Sequence, residues 1–261
     1  MQQAEDFRAE SLALHALLKS IPPDHFDEPT QFKDWTINDI LQHLHFWNGM
    51  AALQITDPDT LSTRIDDALS NRNGMRAFER DFLNDPRGAA LLEAWAADVT
   101  RVAGLYAGID PKRRLCWAGP DMSARSSMTA RLMETWAHGQ AIYDHLGVAR
   151  QNDDRIRNIV VLGINTYAWS FSNRGKEPPA PPPMLRLTAP SGSEWVFGDD
   201  DTGGLIEGPA EAFCQVVTQC RNVADTALRV SGAHAEAWMA CAQCFAGPPM
   251  TPPAPGTRHI R

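Results

Sequence analysis

The feature that most constrains this chain is a helical stretch carrying two potential metal ligands, Glu134 and His138. Because four residues advance a helix by about 400°, the two side chains share one face. Alanines flank the pair, and large apolar residues occupy the opposite side (Ala130, Ala137, Ala141; Leu132, Trp136, Tyr143). A helix that is apolar on both sides is buried. The stretch therefore predicts a helix in the interior of a helical domain.

A buried glutamate needs a partner, because an isolated carboxylate resists the loss of its water. A metal ion, protonation or a salt bridge to an arginine would each stabilise Glu134. A carboxylate and an imidazole on one stripe supply two ligands of a divalent metal site, which needs a third from elsewhere. The spacing alone describes an intrahelical hydrogen-bonded pair equally well.

The best source of a third ligand is a predicted upstream helix that contains His43 and His45. Thr36 suits its N-cap and Asp39 the capping-box position, although Glu or Gln is usual there. Two residues turn a helix by about 200°, so only one of the two histidines can face the site. The apolar periodicity favours His43 only mildly. A His/Glu/His site with open positions would hold a divalent metal that activates a water or a thiol.

The remaining periodicity predicts an α+β protein with helices first and a small sheet later. Predicted helices cover residues 4–18, 36–56, 61–84, 89–106, 123–147, 154–172, 209–217 and 235–245. Strands are predicted at 184–188 and 194–197 around a turn near Ser191-Gly192, with a short extended piece at 228–230. We expect a helical domain at 1–150, an α+β domain at 151–248 and a disordered Pro-rich tail at 249–261.

Composition excludes several classes of protein. Acidic residues outnumber basic ones 32 to 24, which disfavours a nucleic-acid partner. No apolar run approaches the roughly 20 residues of a membrane helix, and the N-terminus lacks a signal-peptide layout, so a cytoplasmic protein is expected. Five cysteines disfavour a disulfide framework, and the lone Cys241-Ala-Gln-Cys244 is interpreted as buried thiols on a helix. The oligomeric state stays open, a homodimer included.

Two motifs carry a family resemblance. Trp35-Thr36-x-x-Asp39-x-x-x-His43-Leu44, followed by Glu134-x-x-x-His138-x-x-Ala141, resembles the DinB-like superfamily of four-helix metalloproteins. Within it, the motifs look most like the mycothiol-dependent maleylpyruvate isomerases, and the block at 117–140 resembles a metal-binding group of that branch. The resemblance covers about residues 3–148.

That resemblance implies a DinB-like four-helix bundle with His43, Glu134 and His138 as the metal ligands and solvent completing the shell. The implied ion is divalent, zinc first, with nickel, iron and manganese compatible with such ligands. A second, weaker likeness relates the C-terminal part to sterol carrier proteins. It rests on Ile206-x-Gly208-Pro209-Ala210-x-x-Phe213 and Leu228-x-Val230-x-Gly232.

The resemblance further implies a thiol-dependent isomerase or S-transferase. A low-molecular-weight thiol would be held as thiolate and presented to a small electrophilic substrate. Arg113 and Arg125 lie by the loop before the metal-site helix, where an arginine and a helix N-terminus favour an anionic substrate. Two alternatives stay open: a metal-dependent hydrolase on the same site, and a non-enzymatic binder of a lipid or small ligand with a structural metal. The acidic run at 199–203 lacks the EF-hand pattern and is interpreted as a turn.

Overall fold

The computed structural model describes residues 1–117, 121–199 and 203–261. The chain divides into two compact units, Met1–Ile142 and Tyr143–Arg261. Most of the predicted turn at 199–203, and the Gly119-Pro120 part of the family block, lie outside the described residues. No helix in the described ranges is both long and apolar enough to cross a membrane.

The described part of the first unit is built mainly from α-helices. They are α1 (Gln2–Leu18), α2 (Ile37–Thr56), α3 (Pro58–Ser70), α4 (Met75–Phe82), α5 (Gly88–Ala107) and α6 (Ala124–His145). A short 3-10 helix at Pro23–Asp27 precedes α2, and the two-residue strands β1 (Arg114–Leu115) and β2 (Met122–Ser123) pair antiparallel before α6. Helix α5 packs along α1 and α2, and α2 also contacts α3 and α4. Helix α2 is therefore central to the unit.

The start of α2 forms as its sequence predicts. The Thr36 hydroxyl accepts from the Asp39 amide at 3.1 Å, and Asp39 Oδ2 accepts from the Thr36 amide at 2.9 Å. This reciprocal capping box satisfies two helix-end donors. At the other end, Asp57 accepts from the Thr60 amide at 3.1 Å and caps α3. The two helices thus join with almost no loop.

The single helical stretch predicted at 61–84 is wrong, because the chain forms two helices there. Helix α3 begins at Pro58 and ends at Ser70. The chain then turns through Gly74, which adopts a φ of +84° that glycine tolerates best, and α4 begins at Met75. This turn brings α4 back against α2.

Helices α2 and α6 run antiparallel along each other. Arg131 donates to the Asn48 side chain at 3.1 Å. Ser127, which comes earlier in α6, donates to the side chain of Gln54, which comes later in α2. Moving up α2 therefore means moving down α6. The same register places His43 of α2 beside His138 of α6.

The second unit is an α+β arrangement around one mixed sheet. Its strands are β3 (Met184–Thr188), β4 (Glu194–Phe197), β5 (Leu205–Pro209) and β6 (Arg229–Ser231), in the order β4-β3-β5-β6. The described helices are α7 (Arg157–Asn165), α8 (Tyr167–Ser172), α9 (Ala210–Val217) and α10 (Ala233–Met239), with 3-10 turns at Asp154–Ile156 and Val223–Asp225.

The β3–β4 hairpin forms as predicted, with Leu185 paired to Phe197 and Thr188 to Glu194. Leu185 and Leu187 are buried on one face of β3, so the alternation in the sequence marks the core side. Strand β5 was not predicted. Its pairing is parallel to β3, and its Gly208 and Pro209 are residues that ordinarily weaken a strand.

Two helices predicted in this unit are shorter than expected. The stretch at 154–172 is interrupted at Thr166, whose hydroxyl bonds the carbonyls of Leu162 and Gly163. The last helix ends at Met239, so Cys241 and Cys244 are not on a helix. The Cys244 amide instead donates to the Val217 carbonyl at 2.9 Å. Cys244 is buried and Cys241 is half-buried.

The Pro-rich tail, for which disorder was expected, makes several hydrogen bonds with the second unit. Asn222 donates to the Pro253 carbonyl at 2.8 Å, and the Gly256 amide donates to Asp225 at 2.9 Å. Arg258 donates to the Gln219 carbonyl at 2.6 Å. Prolines lack an amide donor but keep their carbonyls, and Asn222 satisfies that of Pro253. The tail is therefore part of that unit.

Candidate metal centre

Three side chains from α2 and α6 converge in the first unit. His43 Nε2 lies 3.6 Å from Glu134 Oε2, and His138 Nε2 lies 3.3 Å from the same oxygen. One ligand atom of each residue lies within 4.8 Å of the other two. The side chains are 15%, 25% and 11% exposed, in the order His43, Glu134, His138, so the cluster is sheltered but not sealed.

These three residues fit a divalent metal of the zinc class. Ligands bound at about 2.0–2.1 Å to a tetrahedral zinc lie about 3.3 Å from one another. The two distances to Glu134 Oε2, 3.6 and 3.3 Å, match that separation. Two imidazole nitrogens and one carboxylate oxygen leave a position for solvent or substrate, the arrangement of a catalytic rather than a structural zinc site. Nitrogen and oxygen donors without thiolate also suit nickel, iron and manganese.

A fourth residue, Glu79 of α4, supports His43 from behind. Its side chain is fully buried, and Oε1 lies 2.8 Å from His43 Nδ1. The Trp47 indole donates to the same oxygen at 2.8 Å. Arg76 donates to the other oxygen, Oε2, at 2.7 Å. Glu79 is thus held by three contacts from two helices.

Arg76 links this support to the cap of α2. Besides Glu79, it donates to Asp39 Oδ1 at 2.7 Å, and Asp39 is the residue that closes the capping box. Its guanidinium lies 4.3 Å from the ring centroid of Trp35. A planar guanidinium can stack on an aromatic face while its N–H groups bond carboxylates. Arg76 therefore ties α4, the α2 cap and Trp35 together.

Aromatic rings position the other imidazole. The Trp35 ring stacks on His138 with an interplanar angle of 3° and centroids 5.6 Å apart, and Phe32 meets the same imidazole edge-on at 5.0 Å. His138 Nδ1 is buried without a hydrogen-bond partner among the described residues. Ring packing thus orients His138, whereas a carboxylate orients His43.

The three side chains of the cluster shift one another's pKa values. Burial works to raise the pKa of Glu134, but the neighbouring imidazoles of His138 and His43 outweigh it and hold that pKa well below its usual range. Burial works to lower the pKa of His43, yet the Glu79 and Glu134 carboxylates raise it. Burial lowers the pKa of His138, and the charges of His43 and Arg131 add to that effect. Of the two imidazoles, His43 is thus the more readily protonated, and His138 favours the neutral form.

His45 does not join the cluster. Its Nδ1 lies 3.5 Å from Asp98 Oδ2, and Asp98 is also paired with Arg101. His45 and His43 are two residues apart on α2, and the helix turns them to different neighbours. The fold thus brings His43, and not His45, next to Glu134 and His138.

Arg113 and Arg125 lie at the start of α6 and are not among the three converging donors. Both are exposed, and the Arg125 amide donates to the Pro111 carbonyl at the start of α6. Nine residues separate Arg125 from Glu134, which is about 14 Å along a helix axis. Their role with an anionic substrate stays a prediction, and direct contact with the three donors is not part of it.

Comparison with known proteins supports the resemblance. Residues 7–143 match the family model described as the mycothiol maleylpyruvate isomerase N-terminal domain. The chain belongs to this family. The recognition drawn from the two motifs is thereby confirmed, as is the α+β class with a helical N-terminal domain.

Relatives and solved structures extend over more of the chain than the family model. Two uncharacterised proteins from two strains of Mycobacterium tuberculosis are 37% identical over 244 residues, 94% of this chain and 95% of theirs. The crystal structure of the mycothiol-dependent maleylpyruvate isomerase superposes with a TM-score of 0.60 at 14% identity, covering 88% of this chain and 92% of that one. A histidine-to-alanine mutant of the isomerase gives 0.53 at 16% identity, covering 82% and 87%. These structures show a shared fold.

Proposed function

We propose that this protein is a divalent-metal enzyme that uses a low-molecular-weight thiol to isomerise, or transfer a thiol to, a small electrophilic substrate. The convergence of His43, Glu134 and His138 within a maleylpyruvate isomerase-type fold is the observation that carries the proposal. The family's name points to mycothiol as the first thiol to test.

The residues of the chain divide the work. His43, Glu134 and His138 would hold the cation, zinc first. When bound, such a cation lowers the pKa of a coordinated thiol. Trp35 and Phe32 pack against His138 and shelter it from water. Arg113 and Arg125 remain the candidates for attracting a carboxylate-bearing substrate from outside the cluster.

The test is a turnover assay with and without thiol. Zinc-reconstituted protein is mixed with maleylpyruvate and other cis-enoates, in the presence of mycothiol, glutathione or no thiol, and the products are followed by NMR. We expect cis–trans conversion or a thiol adduct only when thiol is present. His43→Ala should abolish it, while His45→Ala on the same helix should keep it. Hydrolysis without thiol would favour the hydrolase, and metal binding without any turnover would favour the binder.

A further inference from the structure

The hydrogen bonds around Glu79 determine which ring nitrogen of His43 carries the hydrogen. An indole N–H and a guanidinium can only donate hydrogen bonds. Trp47 donates to Oε1 and Arg76 to Oε2, so both oxygens of the buried carboxylate already act as acceptors. The remaining contact, His43 Nδ1 at 2.8 Å from Oε1, is then satisfied when that nitrogen carries the hydrogen.

The consequence falls on the opposite nitrogen of the same ring. A neutral imidazole with hydrogen on Nδ1 presents a lone pair on Nε2. His43 Nε2 is the atom that faces Glu134 at 3.6 Å. A carboxylate bonded to the far nitrogen of a metal-binding histidine fixes its tautomer and orientation and makes it a stronger ligand.

We propose that Glu79 is a positioning residue of the metal centre, which holds His43 as the Nδ1–H tautomer and aims its Nε2 at the cation. This inference rests on the proposed function, because it concerns the same three ligands. Arg76 completes the arrangement by fixing the second oxygen of Glu79, so the carboxylate cannot rotate away from His43.

The chain supplies a matched control for this role. Asp98 of α5 lies 3.5 Å from His45, also a histidine of α2, and its side chain is 9% exposed. His45 is not one of the three converging donors. Asp98→Asn therefore removes a carboxylate beside a histidine of the same helix without touching the proposed centre.

The experiment measures zinc affinity by competition with a fluorescent chelator, for the wild type, Glu79→Gln, Glu79→Asp and Asp98→Asn. We expect Glu79→Gln to weaken binding by about 10- to 100-fold. Glu79→Asp, whose shorter side chain draws the carboxylate away from His43, should also weaken it. Asp98→Asn should bind as the wild type does. Circular dichroism checks that each variant is folded.

A second measurement needs no variant. The nitrogen-15 shifts of His43 in metal-free wild-type protein, recorded where the imidazole is neutral, should show the Nδ1–H tautomer. An Nε2–H tautomer, or wild-type affinity in Glu79→Gln, would overturn the inference while leaving the three ligands in place. A wild type that binds no zinc would instead remove the proposed function itself.

Discussion

Breaking the buried ion pair between Asp144 and Arg221 should strongly destabilise the second unit. The guanidinium donates to the two carboxylate oxygens at 2.7 and 2.5 Å, and the side chains are only 8% (Arg221) and 3% (Asp144) exposed. Asp144→Asn keeps the shape but leaves a buried arginine without its counter-charge. Breaking one partner of a buried pair costs about 3–5 kcal/mol. We expect the free energy of unfolding of this unit to fall by that amount.

Hydrogen exchange read by mass spectrometry on the α9 peptides reports this unit alone, whereas tryptophan fluorescence would mix the two units. At about 1.4 kcal/mol per tenfold, the slowest α9 amides should exchange two to three and a half orders of magnitude faster. The double variant Asp144→Leu/Arg221→Met should recover much of the loss, because neither member of the pair is left as an unpaired buried charge. Glu207→Gln, which breaks the more exposed pair with Arg186, should cost less than about 1 kcal/mol. Equal effects of Asp144→Asn and Glu207→Gln would refute the reasoning.

Three further changes probe the fold. Burial raises the pKa of Tyr106 to about 12, above its unfolded value near 10. The stability that this raised pKa gives is complete below pH 10 and is lost as the pH rises toward 12. In urea titrations over that range, the free energy of unfolding of the wild type should fall by about 2–3 kcal/mol relative to that of Tyr106→Phe. The same pH dependence in both proteins would contradict this prediction. Thr36→Ala should cost about 1 kcal/mol in chemical denaturation by opening the capping box with Asp39, and an unchanged midpoint would argue against that cap. Gly204→Ala should lower the unfolding temperature, because φ is +91° and a Cβ would lie 2.3 Å from the Ser231 carbonyl; a stable variant would show that the strand end adapts.

The features that could be predicted from the sequence were those set by residues close together in the chain. The capping box at Thr36 and the β3–β4 hairpin depend on residues close together in the chain, and both formed as predicted. A helix facing Glu134 and His138 was predictable because a buried helix with small residues beside two polar groups requires a neighbour. The choice of His43 on that helix rested on the family resemblance. The α+β class followed from the periodicity of apolar residues along the chain, and the family motifs implied the helical bundle.

The contact of Glu79 with His43 could not be predicted from the sequence. Glu79 lies in the charged segment Arg76-Ala-Phe-Glu-Arg-Asp, which resembles a solvated helix face. Its burial follows from the turn at Gly74, which folds α4 back onto α2. The capping-box Asp39 held a further signal, because a carboxylate there can bond a distant arginine as well as the helix end. The contacts of Glu79 with His43 and of Arg76 with Asp39 could not be predicted without knowing that the chain turns at Gly74.

Strand β5 was not predicted, and the helix predicted at Cys241 and Cys244 was wrong, for a similar reason. The pairing of β5 with β3 joins segments separated by the hairpin, and Gly208 gives no local strand preference. The backbone around Cys244 leaves the helix because it bonds the end of α9 instead. Tertiary hydrogen bonds overrode helical periodicity in the 241–244 segment.

The most direct test of the metal centre is the zinc content of four proteins after metal removal, reconstitution and dialysis. They are the wild type, His43→Ala, His138→Ala and His45→Ala, measured by elemental analysis. We expect about one zinc per chain in the wild type and in His45→Ala, and a large loss in the two ligand variants. Equal zinc in all four proteins, or none in the wild type, would contradict a centre built from these residues.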